Sequence, residues 1–497
     1  MQIRDLSRIQ RYPYLYMTLL SAVLTVPIWL VKYPPLVDYP NHLARGYVLA
    51  HLADGNNGLD RFYQSDWGPY PYILPDLLLV ALQRVVGIYI AGKVVLSLCI
   101  FSLPIVTLLL IRIANPGHDF LALWALPVAY NSCFLMGFVS SQLSVPLCIL
   151  LLALWLRYLN RPTVAKYTVL VLLATLLYFT HLLGFGVAGL LVVSYIVLAR
   201  LGLSRAACSI LMFGPGVLLY AWSRWRILDI SRASFAFDIH SKISDLGTPL
   251  RGPYKVVDGV SIAVVLATGM WVLWRTSPTN WSRRWLGLAG VVFAAFCICP
   301  GENGSAGYIA MRLPLIGMLI ALCAIKRYER RRALVVAALL LFLIRTVAVF
   351  IYFEQEGERL NRLSAGINSI PNMATVFPIS PRFTGAKYWR RADVHMWAYG
   401  VIDRGWLSSA VFHIHGLQPL AIPRGESCPN QLCGPLVDRS PDWSVVQRTY
   451  DYVWADDTPE YAVALSRIGD CVYSDGDLQV YRLRIPEGAE PLGLGNR

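Results

Sequence analysis

The chain has 497 residues, of which 56% are hydrophobic and only 15% charged. A soluble globular chain carries about 25% charged residues, so this composition excludes a soluble enzyme and points to a polytopic membrane protein. The net charge of +14 does not mark a nucleic-acid binder, because most Lys and Arg stand in short links between apolar runs, where they set orientation.

The first apolar run, 14–31, follows Arg4, Arg8 and Arg11 and leads into Lys32-Tyr33-Pro34-Pro35 without a small-x-small cleavage pattern, so it reads as a span and not a cleaved signal. Directly after it comes "YPPLVDYPNHLARGYVL", residues 33–49, which gathers Asp38, Asn41, His42 and Arg45 at the mouth of the span. Asp38 reads in two compatible ways. It is a helix N-cap with Pro40 in the first turn, where the missing N–H costs nothing, or it is a catalytic carboxylate. Arg45 reads as facing lipid headgroups or a substrate phosphate. The next apolar stretch, 76–92, contains Asp76, Gln83 and Arg84, and counting it as a span would move every later basic link to the outside. It is expected to be a juxtamembrane helix of a large first external loop, about 32–91.

Further runs at 92–111, 119–135, 141–156, 167–183, 184–199, 206–222, 259–274, 286–299, 311–325 and 333–351 bring the expected total to about eleven spans, each needing roughly 17–25 residues. Alternate links carry Arg112; Arg157, Arg161 and Lys166; Arg200 and Arg205; Arg275, Arg283 and Arg284; and the cluster at 326–332. The positive-inside rule places these links and the N-terminus in the cytoplasm. The odd count then sends 353–497 to the other side.

Several polar groups stand at predicted outer ends of spans. His181, in "YFTHLLG", reads as meeting the Asp38 loop or as bonded to a neighbouring carbonyl. Arg251, Lys255 and Arg312 are cations suited to a phosphate, Arg through its planar fork and Lys as a point charge. Headgroup snorkelling is the competing reading, above all for Lys255. Glu302 and Arg312, in "CPGENGSAGYIAMRLP", read as functional groups at membrane depth or as a structural pair closing a loop. Asn131 beside Tyr130 is a weaker candidate.

After 353 the composition changes to charged residues, prolines and short β-rich runs such as "ATVFPIS", "SAVFHIHG" and "DLQVYRLRI". "PDWSVVQRTYDYVWA" and "PEYAVALSRIG" read as helix followed by strand. The expected organisation is therefore a transmembrane domain over 1–352 and a small extracytoplasmic α/β domain over 353–497. Seven of the ten cysteines lie in or beside predicted spans, as small buried apolar residues do. Cys428, Cys433 and Cys471 lie in the outer domain, where "CPNQLC" could close a small disulfide loop, leaving an odd thiol over. No metal site is supported, because no second Cys or His pair stands near "CPNQLC" at ligand spacing. His413 and His415, alternating in "FHIHG", read as a strand edge or as two ligands on one side. G-x-S-x-G, H-E-x-x-H and Walker A patterns are absent.

An acid at the start of a long first external loop, about eleven spans and a C-terminal extracytoplasmic domain resemble the GT-C membrane glycosyltransferases. "DYPNHLAR", "YNSCFLMGFVSSQLS" and "YFTHLLGF" are similar to runs in bacterial membrane proteins of that type. The resemblance implies a bacterial inner-membrane enzyme that moves a sugar from a polyprenyl-phosphate donor to a lipid, glycan or protein acceptor. It implies an acid in the first external loop, a position that Asp38 matches. Asp38 is read as the general base, with Asn41 and His42 orienting the acceptor or Asp38 itself in catalysis. Asn41, Arg45, His181, Arg251, Lys255, Glu302 and Arg312 are the substrate-binding candidates. Tyr39 follows Asp38, so the paired acid of some family members is missing, which argues against a metal-dependent variant. No cofactor and no nucleic-acid partner are expected. The competing class, a transporter or lipid flippase, calls for inverted repeats and broken helices in matching halves, and the sequence shows no such symmetry.

Overall fold

In the computed structural model the described residues are 12–55, 57–226, 235–236, 239–300, 302–303, 308–326, 328, 330–380, 389, 391–414, 416–422 and 441–484. The chain divides into two compact units, Met1–Leu30 with Lys93–Tyr352, and Val31–Gly92 with Phe353–Arg497. The segment following the first helix thus belongs with the C-terminal segment.

The first unit is helical. Among the described residues six helices are long and apolar enough to cross a membrane: Pro13–Leu30, Ile88–Ala114, Val139–Tyr158, Leu182–Ala199, Lys255–Arg275 and the helix beginning at Arg331. Val164–Thr180, Arg283–Ile298 and Leu313–Leu322 are shorter apolar helices. The run at 206–222 forms two helices, Leu203–Leu211 and Gly214–Trp225, bent by 45°. Gly214 and Pro215 stand at the break, and proline removes the hydrogen bond that would carry the helix through. The last apolar helix, Arg331–Leu363, continues well beyond its apolar run. Gly184 lies where a Cβ would come within 2.7 Å of the Ser144 side chain, so glycine there allows two helices to approach closely.

The run at 119–135 is not a helical span, contrary to the sequence expectation. It forms a 3-10 segment, Asp119–Ala125, a turn through Pro127, and a single helical turn, Ser132–Leu135. Irregular backbone at membrane depth persists only where protein satisfies its polar groups, and Arg345 does so here. This buried guanidinium donates to the carbonyls of Pro127 (2.6 Å), Tyr130 (3.1 Å) and Leu250 (2.5 Å) and lies 3.6 Å from the Asp258 carboxylate.

In the second unit, Tyr39–His51 and Ile73–Val86 are helices. Gly87, at φ +75°, ends the second of them before Ile88–Ala114 begins, so the stretch at 76–92 is not one continuous helix. Asp76 and Gln83, read from sequence as interfacial, are instead buried. Gln83 donates to the Gly46 carbonyl (2.8 Å), and a Cβ on Gly46 would stand 2.9 Å from the Leu79 Cβ, so the two helices touch at backbone distance.

The C-terminal segment builds a four-stranded sheet from β1 (Val376–Ile379), β2 (Tyr452–Asp456), β3 (Gly469–Asp475) and β4 (Leu478–Leu483), in the spatial order β1-β2-β4-β3. β1 runs parallel to β2 with Val376 opposite Tyr452. β4 is antiparallel to both β2 and β3, pairing Val453 with Tyr481 and Cys471 with Tyr481. The central strand β2 is buried along its length, and Phe377, Val453 and Tyr481 pack with Val446 and Leu465 from the helices Trp443–Thr449 and Ala462–Ile468. The described residues of the run "SAVFHIHG", 409–414 and 416, do not form a strand. The Asn41 side chain takes the backbone groups that a neighbouring strand would use: its amide donates to the Ala410 carbonyl (3.0 Å), and its oxygen accepts from the Phe412 N–H (2.7 Å).

Candidate active site

Asp38 occupies the N-cap position of the Tyr39–His51 helix, and Pro40 lies in the first turn. The Asp38 backbone carbonyl accepts the first helical bond, from the His42 N–H (3.2 Å), while its side chain makes no capping hydrogen bond. The carboxylate is instead directed at the His395 imidazole, with Oδ1 and Nε2 3.5 Å apart and both side chains about one-fifth exposed, at 21% and 19%. The helix start expected from sequence is present, but the carboxylate is not spent on it.

His42 and Arg45 follow on the same helix, one turn apart. Arg45 does not face outward as its sequence reading has it. It is 2% exposed and holds the buried Asp76 through Nε at 2.9 Å. Burial pushes the Asp76 carboxyl above its usual range, and Arg45 pulls it back. Arg45 also donates from Nη2 to His42 Nδ1 at 3.1 Å. A guanidinium has no acceptor, so Nδ1 must carry the lone pair and the neutral ring bears its proton on Nε2. Burial, followed by the charges of Arg45 and His395, holds the His42 pKa well below 6.5. His42 is therefore a neutral ring with its proton on Nε2.

Phe412 joins the two histidines. Its ring centre lies 5.4 Å from that of His42 and 5.2 Å from that of His395, nearly perpendicular to both. Asn41 holds the Phe412 backbone, so it acts on the site by fixing this ring. His395 is held from its own side. Arg391 binds Asp393 (2.6 Å) and Asp456 (3.1 Å) and pairs with Asp457, and Arg359 also pairs with Asp393. Burial, with the nearby Asp393 charge, raises the Asp456 pKa, and the arginines oppose it. This network ties the segment before His395 to the end of β2.

His395 and Phe412 escape sequence reading. His395 sits in "RADVHMW" and Phe412 in "SAVFHIHG", with no spacing that relates either to Asp38. The only available signal was a polar cluster, Arg391, Asp393 and His395, in a loop.

The remaining predicted residues belong to the first unit. His181 is a single extended residue between Val164–Thr180 and Leu182–Ala199, and its Nδ1 accepts from the Leu183 N–H at 3.2 Å. Arg312 reaches its Nε2 at 2.8 Å and lies over the Phe138 ring at 4.8 Å. His181 and Arg312 are thus brought together, a pairing that the sequence does not suggest. Arg251 donates to Ser244 (2.6 Å), and Lys255 is exposed at the start of Lys255–Arg275. The Glu302 backbone pairs with Ala236 in a two-stranded ribbon, and its side chain lies outside the described residues, as do His415, Cys428 and Cys433. Asn131 caps the turn at Ser132–Leu135 through the Phe134 N–H (3.1 Å) and donates to Gln142 (2.8 Å), a structural role. His413 Nδ1 contacts the Val411 carbonyl at 2.7 Å. Among the described residues no three His, Cys, Asp or Glu side chains group as a metal site.

No protein-family model matches the chain, and no curated protein matches it in sequence. A structural match is found to the crystal structure of ArnT from Cupriavidus metallidurans bound to undecaprenyl phosphate, with a TM-score of 0.54 and 12% identity over 95% of this chain and 97% of that one. With its apolar helices and this likeness along almost its whole length, the chain is a multi-pass membrane protein with the GT-C fold.

Proposed function

We propose that the protein is an inverting membrane glycosyltransferase that moves a sugar from a polyprenyl-phosphate donor to a lipid, glycan or protein acceptor, with Asp38 as general base. The observation that carries this reading is the Asp38 carboxylate, which heads a buried helix without capping it and is turned to His395. The fold shared with ArnT, whose structure holds undecaprenyl phosphate, supports the choice of donor.

In this reaction the acceptor hydroxyl attacks the anomeric carbon. The new C–O bond forms as the bond to the phosphate oxygen breaks, and the polyprenyl phosphate leaves with the electron pair. Asp38 takes the hydroxyl proton, which an inverting transfer requires of a single carboxylate. His395 orients that carboxylate, and the His42 Nε2–H is a neutral donor for a sugar or acceptor oxygen. Arg312 is assigned to the donor phosphate, since its guanidinium matches phosphate oxygens. The reading includes the orientation expected from the basic links, with 353–497 outside the cytoplasm. A reporter active only in the cytoplasm should then work when fused after Lys326 and fail when fused after Arg382.

The direct test is Asp38→Asn, which keeps the size of the side chain and removes its basicity. Transfer by the purified protein should fall by roughly 10²–10⁴-fold, the scale of a lost general base, at unchanged yield and donor binding. Asp38→Ser should be equally inactive. Normal turnover in both variants would remove Asp38 from the chemistry.

A further inference from the structure

Within the first unit a cleft of about 890 Å³ opens between the start of Pro13–Leu30, the end of Ile88–Ala114, the 3-10 segment Asp119–Ala125 and the start of Arg331–Leu363. Its walls are apolar and include Met17, Leu108, Leu123 and Val335, while Arg330, Arg331 and Arg332 form one side of its mouth. All three arginines are exposed. Arg331 lies over the Phe120 ring at 5.8 Å, and Phe120 also lines the cleft. The one acid in the lining, Asp119, is already met by Arg112 at 3.6 Å, whose guanidinium covers the Tyr14 ring at 5.0 Å. The mouth is therefore strongly cationic above a hydrocarbon-like interior.

We propose that this cleft seats an anionic glycerophospholipid, with its phosphate on the three arginines and an acyl chain between the apolar walls. Setting membrane orientation requires only that arginines lie on one side of the bilayer. It does not require them at the mouth of an apolar cleft between helices, an arrangement that suits an acidic headgroup joined to a hydrocarbon chain. The chain's own first eleven residues carry Arg4, Arg8 and Arg11 against a single Asp5, so their charge does not complement the cleft. The site is independent of the glycosyl-transfer reading.

The test measures lipid retained by the purified full chain, by native mass spectrometry after exchange into detergent with phosphatidylglycerol or phosphatidylcholine. Phosphatidylglycerol should be retained in preference. Replacing Arg330, Arg331 and Arg332 together by Gln should cut its retention by at least about tenfold, since each arginine adds its own attraction to an anionic lipid. Leu123→Trp, which fills the cleft and leaves every charge in place, should cut it similarly. Arg330→Gln alone, outside the helix, gives a milder loss in a chain whose fold is little disturbed. Equal retention of the two lipids, or unchanged phosphatidylglycerol retention in these variants, would overturn the proposal. Displacement of phosphatidylglycerol by polyprenyl phosphate would overturn it in favour of the donor. Arginine dependence that disappears on deleting residues 2–11 would put the chain's own N-terminus in the cleft and overturn it too.

Discussion

The Asp38 carboxylate and the His395 imidazole face each other at 3.5 Å, although one heads a helix after the first span and the other lies in the C-terminal segment. Neither side chain is fully buried. If His395 holds Asp38 in its productive orientation, His395→Ala should reduce turnover by about 10–100-fold, less than loss of the base itself. His395→Gln, which keeps a donor near the same place, should recover part of that loss. The readout is transfer rate against acceptor concentration: an orienting role lowers kcat with little change in KM. Unchanged turnover in the Ala and Gln variants would make the contact incidental.

Arg45 and Asp76 form a buried pair, 2% and 0% exposed. Removing one partner leaves a charge in a low-dielectric site, which typically costs about 3–5 kcal/mol. Arg45→Met or Asp76→Leu alone should therefore lower the unfolding midpoint clearly, and the double replacement should recover much of the loss. Thermal unfolding of the detergent-purified protein decides this. A double variant no better than the worse single one would mean that packing and not charge pairing dominates.

His42 makes stability depend on pH. Its folded pKa is held well below 6.5 by burial and by the charges of Arg45 and His395, so the unfolded chain binds a proton that the folded one refuses. That contribution is present above about pH 6.5 and is lost as the pH falls from there toward the folded pKa. His42→Gln should make the unfolding midpoint less sensitive to acid over that window. An identical pH dependence in wild type and variant would contradict the burial of this ring.

Arg312 stands over Phe138 and against His181. Arg312→Lys keeps the charge and loses the planar fork and its stacking. If the guanidinium holds the donor phosphate, this change should raise the donor KM by roughly tenfold or more with the protein still folded. Unchanged donor dependence in Arg312→Ala would leave Arg312 a structural partner of His181.

Local sequence was enough for most helices, for the helix-then-strand order near the C-terminus, and for the helix beginning beside Asp38 and Pro40. These depend on apolar periodicity, proline placement and side-chain oxygens, which act over a few residues. The irregular 119–135 segment was not legible, because its apolar composition suits any buried backbone, and its non-helical path depends on donors from Arg345, remote in sequence, as well as from Asn131 within it. The same holds for "SAVFHIHG", whose alternation suggests a strand until the Asn41 amide takes its backbone groups. At the site, Asp38, Asn41, His42 and Arg45 could be read as a cluster because one helix carries them. Only tertiary contact decided their surroundings: Asp76 turned Arg45 inward, Arg45 in turn set the His42 tautomer, and His395 and Phe412 came from the far end of the chain. Hydrogen bonds and charges act through space over a few ångströms, so no spacing along the sequence encodes which distant residue will meet which.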